Sequence, residues 1–168
     1  LQARDSGDFD TALRLFEQIA DAAARFQVPE LSAMSRLGLG QALVDVGQID
    51  RGVALLDEAL VAVTAGDVSP INAGTVYCGS IEAFQSCVNK RQNWAEAHVN
   101  LGIAHWRLGD RDQATKAFEN VLTMDAQSLD ALRGLAALAI EKDDYQKALE
   151  IQAKLIDQGE RTPELFYN

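Results

Sequence analysis

The sequence predicts an all-α protein, a right-handed α-solenoid of antiparallel helix pairs, and three observations predict it. Two consecutive blocks of 34 residues share one pattern of small and bulky side chains. Hydrophobic residues make up 48% of the 168, with Ala and Leu prominent, only three prolines and few of the β-branched runs that strands require. Outside the blocks, apolar residues recur at helical spacing, as at Val76, Ile81, Phe84 and Val88.

The first block, from Ala95, reads AEAHVNLGIAHWRLGDRDQATKAFENVLTMDAQS; the second, from Leu129, reads LDALRGLAALAIEKDDYQKALEIQAKLIDQGERT. A period of this size makes each block one helical hairpin that buries its apolar face only against its neighbours. In the first block the recurring positions are His98, Leu101, Gly102, His105, Ala114, Phe118 and Val121. Gly102 and Ala114 are small where two helices approach closely, and Leu101, Phe118 and Val121 fill the remaining space. Gly109 followed by Asp110 supplies a residue tolerant of positive φ and then a helix N-cap. The second block keeps Leu132, Leu135, Ala136, Ala139, Ala148 and Leu155, with Tyr145 opening its second helix. Asp143 stands where the turn glycine would be, and Gln152 where an aromatic is usual; Ile151 and Leu155 are expected to close that gap. On these residues the chain from 95 to 168 resembles the tetratricopeptide repeat (TPR) family. That resemblance implies a superhelix of helix pairs with a concave binding face and no catalytic centre.

The same frame fits the first half. Leu39, Gly40, Leu43, Gly47, Gly52, Leu56 and Ala59 form one repeat beginning near Ala33. Gly7, Asp8, Phe9, Ala12, Phe16 and Ile19 match the turn and second helix of another, with a helix from about Asp8 to Phe26. The 40 residues from Gly7 to Gly47 mark a longer variant of the repeat. Pro70 opens a further helix over 70–90. The expected layout is a single array over 1–168: a partial repeat at 1–29, a repeat at 30–66, an irregular helix at 67–92, repeats at 93–128 and 129–162, and the truncated start of another at 163–168. By alternation the 70–90 helix is a first helix, yet the helix from about Asn93 carries first-helix residues too. Either it stands as an unpaired layer, or two arrays of different origin join near Lys90 to Asn93. Through GDVSPINAGTVYCGSIEA, residues 1–90 also resemble the helical-repeat region of bacterial transcription regulators of the LuxR and MalT type. That likeness implies a sensory or partner-binding segment.

The net charge of −10 is spread evenly, with 7 basic and 12 acidic residues in 1–92 and 8 and 13 in 93–168. Such a surface repels phosphate backbones and anionic lipid heads, so neither nucleic acid nor membrane is expected as a partner. No apolar run reaches the roughly 20 residues of a membrane span, and no basic-then-apolar leader opens the chain. Cys78 and Cys87, nine positions apart on one helix, lie half a turn out of phase and roughly 13 Å apart, too far to bridge. Two unpaired thiols suit a reducing, cytoplasmic setting.

Chemistry is hard to find. His98 and His105 share a helix face about 10 Å apart, too far for one metal ion, and occupy packing positions of the repeat. Gly38-Leu39-Gly40 follows no strand and lacks the third glycine of a dinucleotide loop. There is no GKS or GKT phosphate loop and no nucleophile elbow. Acidic pairs such as Asp57-Glu58 and Asp143-Asp144 sit on solvated faces or at helix starts. The expectation is no enzyme, no cofactor and no metal.

Binding is therefore expected on the concave face, where the family's groove contacts come from the second, fifth, ninth and twelfth repeat positions. Here these are Met34, Leu37, Gln41 and Val44, then Glu96, Val99, Ile103 and Trp106, then Asp130, Arg133, Ala137 and Ile140. The row is largely apolar and suits an amphipathic helix or apolar peptide of a protein partner, with Trp106 as an anchor and Arg133 for a carboxylate. The same periodicity is equally that of side chains packed against the next repeat. Of the polar clamp with which chaperone-binding members grip a terminal carboxylate, only Asn100 has a counterpart, so that role is not expected. The leading expectation is an interaction scaffold. The alternatives are a sensory segment of a bacterial transcription regulator and a structural piece that self-associates through exposed terminal repeats.

Overall fold

A computed structural model describes residues 9–160, with side chains from Thr11 onward. The expectations placed on Gly7, Asp8, the Phe9 side chain and residues 163–168 lie outside the described residues. Eight helices account for nearly all of that span, with no strand among the described residues: α1 (Phe9–Phe26), α2 (Pro29–Asp45), α3 (Ile49–Thr64), α4 (Pro70–Lys90), α5 (Ala95–Arg107), α6 (Arg111–Met124), α7 (Leu129–Glu141) and α8 (Tyr145–Asp157). The chain divides after Gln92 into two compact units.

Within each unit, short links fold consecutive helices back on one another, which gives the antiparallel pairs that the repeat predicts. Six helices end on one device, and the α4–α5 and α6–α7 links, which start at Arg91 and Asp125 in extended backbone, do without it. Gln27, Gly47, Gly66, Gly109, Asp143 and Gly159 all have φ between +54° and +87°. After each, the next N–H reaches back to a carbonyl of the last turn, as from Gln48 to Leu43 at 2.9 Å and from Asp110 to His105 at 3.0 Å, which satisfies an otherwise orphaned acceptor. Asp110, Ser128 and Asp144 then cap the helix starts, each accepting from the backbone N–H three residues on. Asp143 does stand in for the turn glycine, at φ +58°, and accepts a bond from the Tyr145 hydroxyl at 2.7 Å. Gln27 does the same work with no glycine to announce it.

In the first unit, α2 and α3 cross with backbone against backbone. A Cβ placed on Gly40 would come 2.9 Å from the Gly52 carbonyl oxygen, and one on Gly52 would come 2.8 Å from that of Gly40. Leu43, Val44, Val53 and Leu56 are sealed around this crossing. Helix α4 lies on both α2 and α3 and is stitched to α2 at three places. Glu30 accepts from the Ser69 N–H at 3.0 Å and from the Asn72 amide at 2.9 Å. Gln41 donates to the Gly79 carbonyl at 2.9 Å, and Lys90 to the Val44 carbonyl at 2.8 Å. The partners advance together along both helices, so α4 runs parallel to α2, the disposition of a following first helix. Phe84, Val76 and Cys87 are buried beneath it.

In the second unit, Phe118 of α6 is 1% exposed and lies between two glycines, Gly102 of α5 and Gly134 of α7. Val121, Leu132, Leu135 and Leu138 complete its surroundings, and Ile151 and Leu155 of α8 join the same core. Both are buried, the two residues expected to pack beside Gln152.

Candidate functional site

Three of the four predicted contacts on α2 meet in an open cavity of about 920 Å³ in the first unit. Phe16 and Ile19 of α1 form one wall, Leu31, Met34, Leu37 and Gln41 of α2 the floor, and Ile71, Thr75, Cys78 and Glu82 of α4 the other wall. Its rim carries large apolar side chains in solvent: Leu31 is 42% exposed and Ile71 88%. Leu37 is nearly buried, and the Gln41 amide is already engaged in holding α4, so Met34 is the freest of the three. Val44 departs from the expectation. It is fully buried, and a Cβ on Gly52 would meet it at 2.7 Å, so it packs the α2–α3 crossing and presents no binding surface.

In the second unit, Val99, Asn100, Ile103 and Trp106 of α5 converge with Asp130 and Arg133 of α7 on a smaller hollow of about 370 Å³, floored by Phe118 and Gly134. Glu96 is exposed, and Ala137 and Ile140 are half-buried further along α7; none of the three lines it. The two polar anchors are already employed. The Trp106 indole N–H donates to Glu141 at 3.0 Å, and the Arg107 guanidinium lies 5.8 Å from its ring centre. Arg111 also donates to Glu141, at 2.8 Å, and these two bonds, Arg111 first, hold that carboxyl below its usual range. Arg133 pairs with Glu160 and, at 3.2 Å, with Asp130, and the Glu160 bond is the main reason its own pKa is raised. The carboxylate that Arg133 was expected to take from a ligand is supplied from within the chain.

His98 is buried in α5, and His105 is held below its usual pKa by partial burial, against the pull of Asp110 at 3.8 Å. Among the described residues no three His, Cys, Asp or Glu side chains are grouped to hold a metal ion. No described helix is long and apolar enough to cross a membrane. Cys78 and Cys87 are both free thiols, Cys78 exposed in the cavity wall and Cys87 buried, its pKa pushed up to about 11 by that burial. The role of Cys78 in lining the cavity was not apparent from the sequence, where it read only as one of two unpaired thiols on one helix.

The profile of the tetratricopeptide repeat matches residues 1–67 and 99–163. The likeness of residues 1–90 to LuxR- and MalT-type regulators, carried mainly by residues 66–83, is not shown by this match. Protein CTR9 homolog of Arabidopsis thaliana is 26% identical over 137 residues, 73% of this chain and 12% of that protein. Heat shock protein STI1 of Saccharomyces cerevisiae is 29% identical over 104 residues, 57% of this chain and 18% of that one. Superkiller protein 3 of Schizosaccharomyces pombe is 28% identical over 81 residues, 48% of this chain and 6% of that one. The chain thus spans less than a fifth of the length of these curated relatives. In fold it is similar to a thermophilic TPR protein of Thermus thermophilus, at a TM-score of 0.65 and 20% identity over 98% of this chain and 90% of that one. With matched repeats over most of its length, and helix pairs closed by the glycines and phenylalanine that the repeat specifies, the chain belongs to the tetratricopeptide repeat family.

Proposed function

We propose that this chain is a protein-interaction module that takes an apolar helix or peptide of a partner along its first helices, in the cavity between α1, α2 and α4 and in the hollow between α5 and α7. The observation that carries the reading is the first cavity, large, open and walled mainly by apolar side chains, with Ile71 standing almost wholly in solvent at its rim. Neither surface gathers titratable groups in the manner of a catalytic site, which supports binding over catalysis. The charge of −10 supports a protein partner over nucleic acid or an anionic membrane.

Peptides selected from a random library against the purified protein test this. Met34→Glu in the cavity or Ile103→Glu in the hollow should weaken the selected peptides about ten-fold or more by placing a charge in an apolar contact. Val61→Glu, on the 57% exposed position of α3, should not. Peptides indifferent to both groove variants would place the interaction elsewhere. A second reading, a sensory segment for a small apolar effector, draws on the same cavity, whose volume is in the range of small-molecule sites.

A further inference from the structure

Arg133 is the one cation among the described residues that line the hollow between α5 and α7, and two of the chain's own carboxylates meet it. The two are unlike. Asp130, one turn back on α7, has a side chain 68% exposed and stays hydrated. Glu160 belongs to the link beyond α8, and its side chain is only 8% exposed. Nε and Nη2 of Arg133 both donate to its Oε1, the first at 2.7 Å, while Oε2 is buried with no hydrogen-bond partner among the described residues.

The backbone sets where this carboxylate stands. Gly159, at φ +87°, turns the chain at the end of α8, and the Glu160 N–H then donates to the Leu155 carbonyl at 3.1 Å. That bond fixes the root of the side chain, so the closure of α8 brings the carboxylate to Arg133 with no ligand needed. The fork of the guanidinium that would grip a ligand carboxylate is thereby engaged. One cation against two carboxylates leaves this end of the hollow negative, and the Glu160 charge is buried where water and salt screen it least.

We infer that Glu160 is a specificity-determining residue of the hollow: it fills the carboxylate position with the chain's own acid and restricts the hollow to apolar segments flanked by neutral or basic residues. This rests on the reading of the hollow as a binding surface and says which ligands that surface refuses. The net charge of −10 acts in the same sense at long range, and Glu160 adds discrimination by contact. A glutamate or a free C-terminus arriving at Arg133 finds its donors taken and like charges beside it, a juxtaposition that selects against acidic ligands.

The probes are three end-capped, fluorescently labelled peptides with one leucine- and alanine-rich stretch, flanked by lysines, by glutamines or by glutamates. Fluorescence polarisation reads their affinities. The unmodified chain should bind the lysine peptide about ten-fold more tightly than the glutamate peptide. Glu160→Gln should narrow that ratio about five-fold by raising the affinity of the glutamate peptide. Asp130→Asn removes the same charge from an exposed position and should narrow it only about two-fold. Adding Arg133→Gln to Glu160→Gln should cancel the gain, because the freed guanidinium is what the glutamate peptide uses. Circular dichroism checks that each variant is folded; should Glu160→Gln unfold, Glu160→Asp, which draws the charge back from the guanidinium, should shift the ratio in the same direction but less far.

A ratio that Glu160→Gln leaves unmoved overturns the proposal even if the variant melts earlier, because a purely structural pair alters stability and leaves selectivity alone. An equal effect of Asp130→Asn also overturns it, since net charge would then be the whole cause. If Ile103→Glu still weakens the glutamine peptide in those cases, the hollow remains a binding surface and only the role of Glu160 fails. If Ile103→Glu changes no peptide, or no peptide binds, both readings fail.

Discussion

Gly134 stands so close to the ring of Phe118 that a single added methyl would sit 2.6 Å from it. The ring cannot swing away, because Gly102 holds its other side and it is 1% exposed. Gly134→Ala should therefore destabilise the protein by about 1–3 kcal/mol through overpacking, outweighing the roughly 1 kcal/mol that alanine gains over glycine within a helix. Phe118→Ala should cost about 3–5 kcal/mol. Urea unfolding followed by circular dichroism measures both, and a stabilised Gly134→Ala would show that the contact is not tight.

The turn residues give the opposite sign. Gln27 and Asp143 adopt φ of +54° and +58°, where glycine is at ease. Gln27→Gly should stabilise by about 1 kcal/mol, and Asp143→Gly by less, because Asp tolerates this conformation and the substitution removes its bond from Tyr145. A larger gain at 143 than at 27 in thermal melts would contradict this ordering.

Glu30 ties the start of α4 to α2, and the bonds from Ser69, then Asn72, hold its carboxyl below the usual range. A carboxyl whose folded pKa is depressed contributes stability that is fully present above its unfolded pKa and is lost as pH falls through the folded value. The first turn of α4 should thus loosen in acid, below about pH 4. Amide exchange at Asn72 and Ala73 should quicken there, and Glu30→Gln should remove this carboxyl's share of the pH dependence. Exchange that is pH-independent after correction for intrinsic rates would remove Glu30 from this role.

Glu141 is held low by Arg111 first and Trp106 second. In an NMR titration of its carboxyl, Arg111→Gln should raise the midpoint further than Trp106→Phe does, and each by less than their double substitution. The reverse order would make the indole the main partner.

The two thiols should separate cleanly. Native protein at pH 8 should take one alkyl group, on Cys78, because Cys87 is buried and, with a pKa of about 11, almost entirely protonated. Mass spectrometry should find two groups after denaturation. Rapid double labelling of the native chain would mean that α4 opens readily.

What the sequence revealed and what it hid divide by distance along the chain. Gly109 with Asp110 and Pro70 were legible because capping and turn chemistry are local. Gln27 was not, since nothing in its type calls for positive φ. Gly102 was legible as a small residue at a close helix approach, but Gly134 was not singled out, since only the fold shows that it meets the ring of Phe118. The stitching of α4 was hidden for the same reason, with Glu30 and Ser69 39 residues apart and Lys90 and Val44 46 apart. Val44 shows the limit most plainly: it falls in the groove register of the repeat, yet α3 approaches so closely at Gly52 that it is sealed. Trp106 and Arg133 were placed in the hollow, but no sequence pattern indicated that Glu141 and Glu160 already occupy them.

One ring serves three helices in the second unit, and this sets how its parts can be exchanged. The 34-residue frame in which the blocks are written divides Phe118 from Gly134. A chimera spliced at that frame would join a phenylalanine to whatever residue a foreign helix offers at its sixth position. The interchangeable cassette is instead the aromatic together with the glycine that follows it by sixteen residues, and a recombinant that carries both across the splice keeps the seam intact.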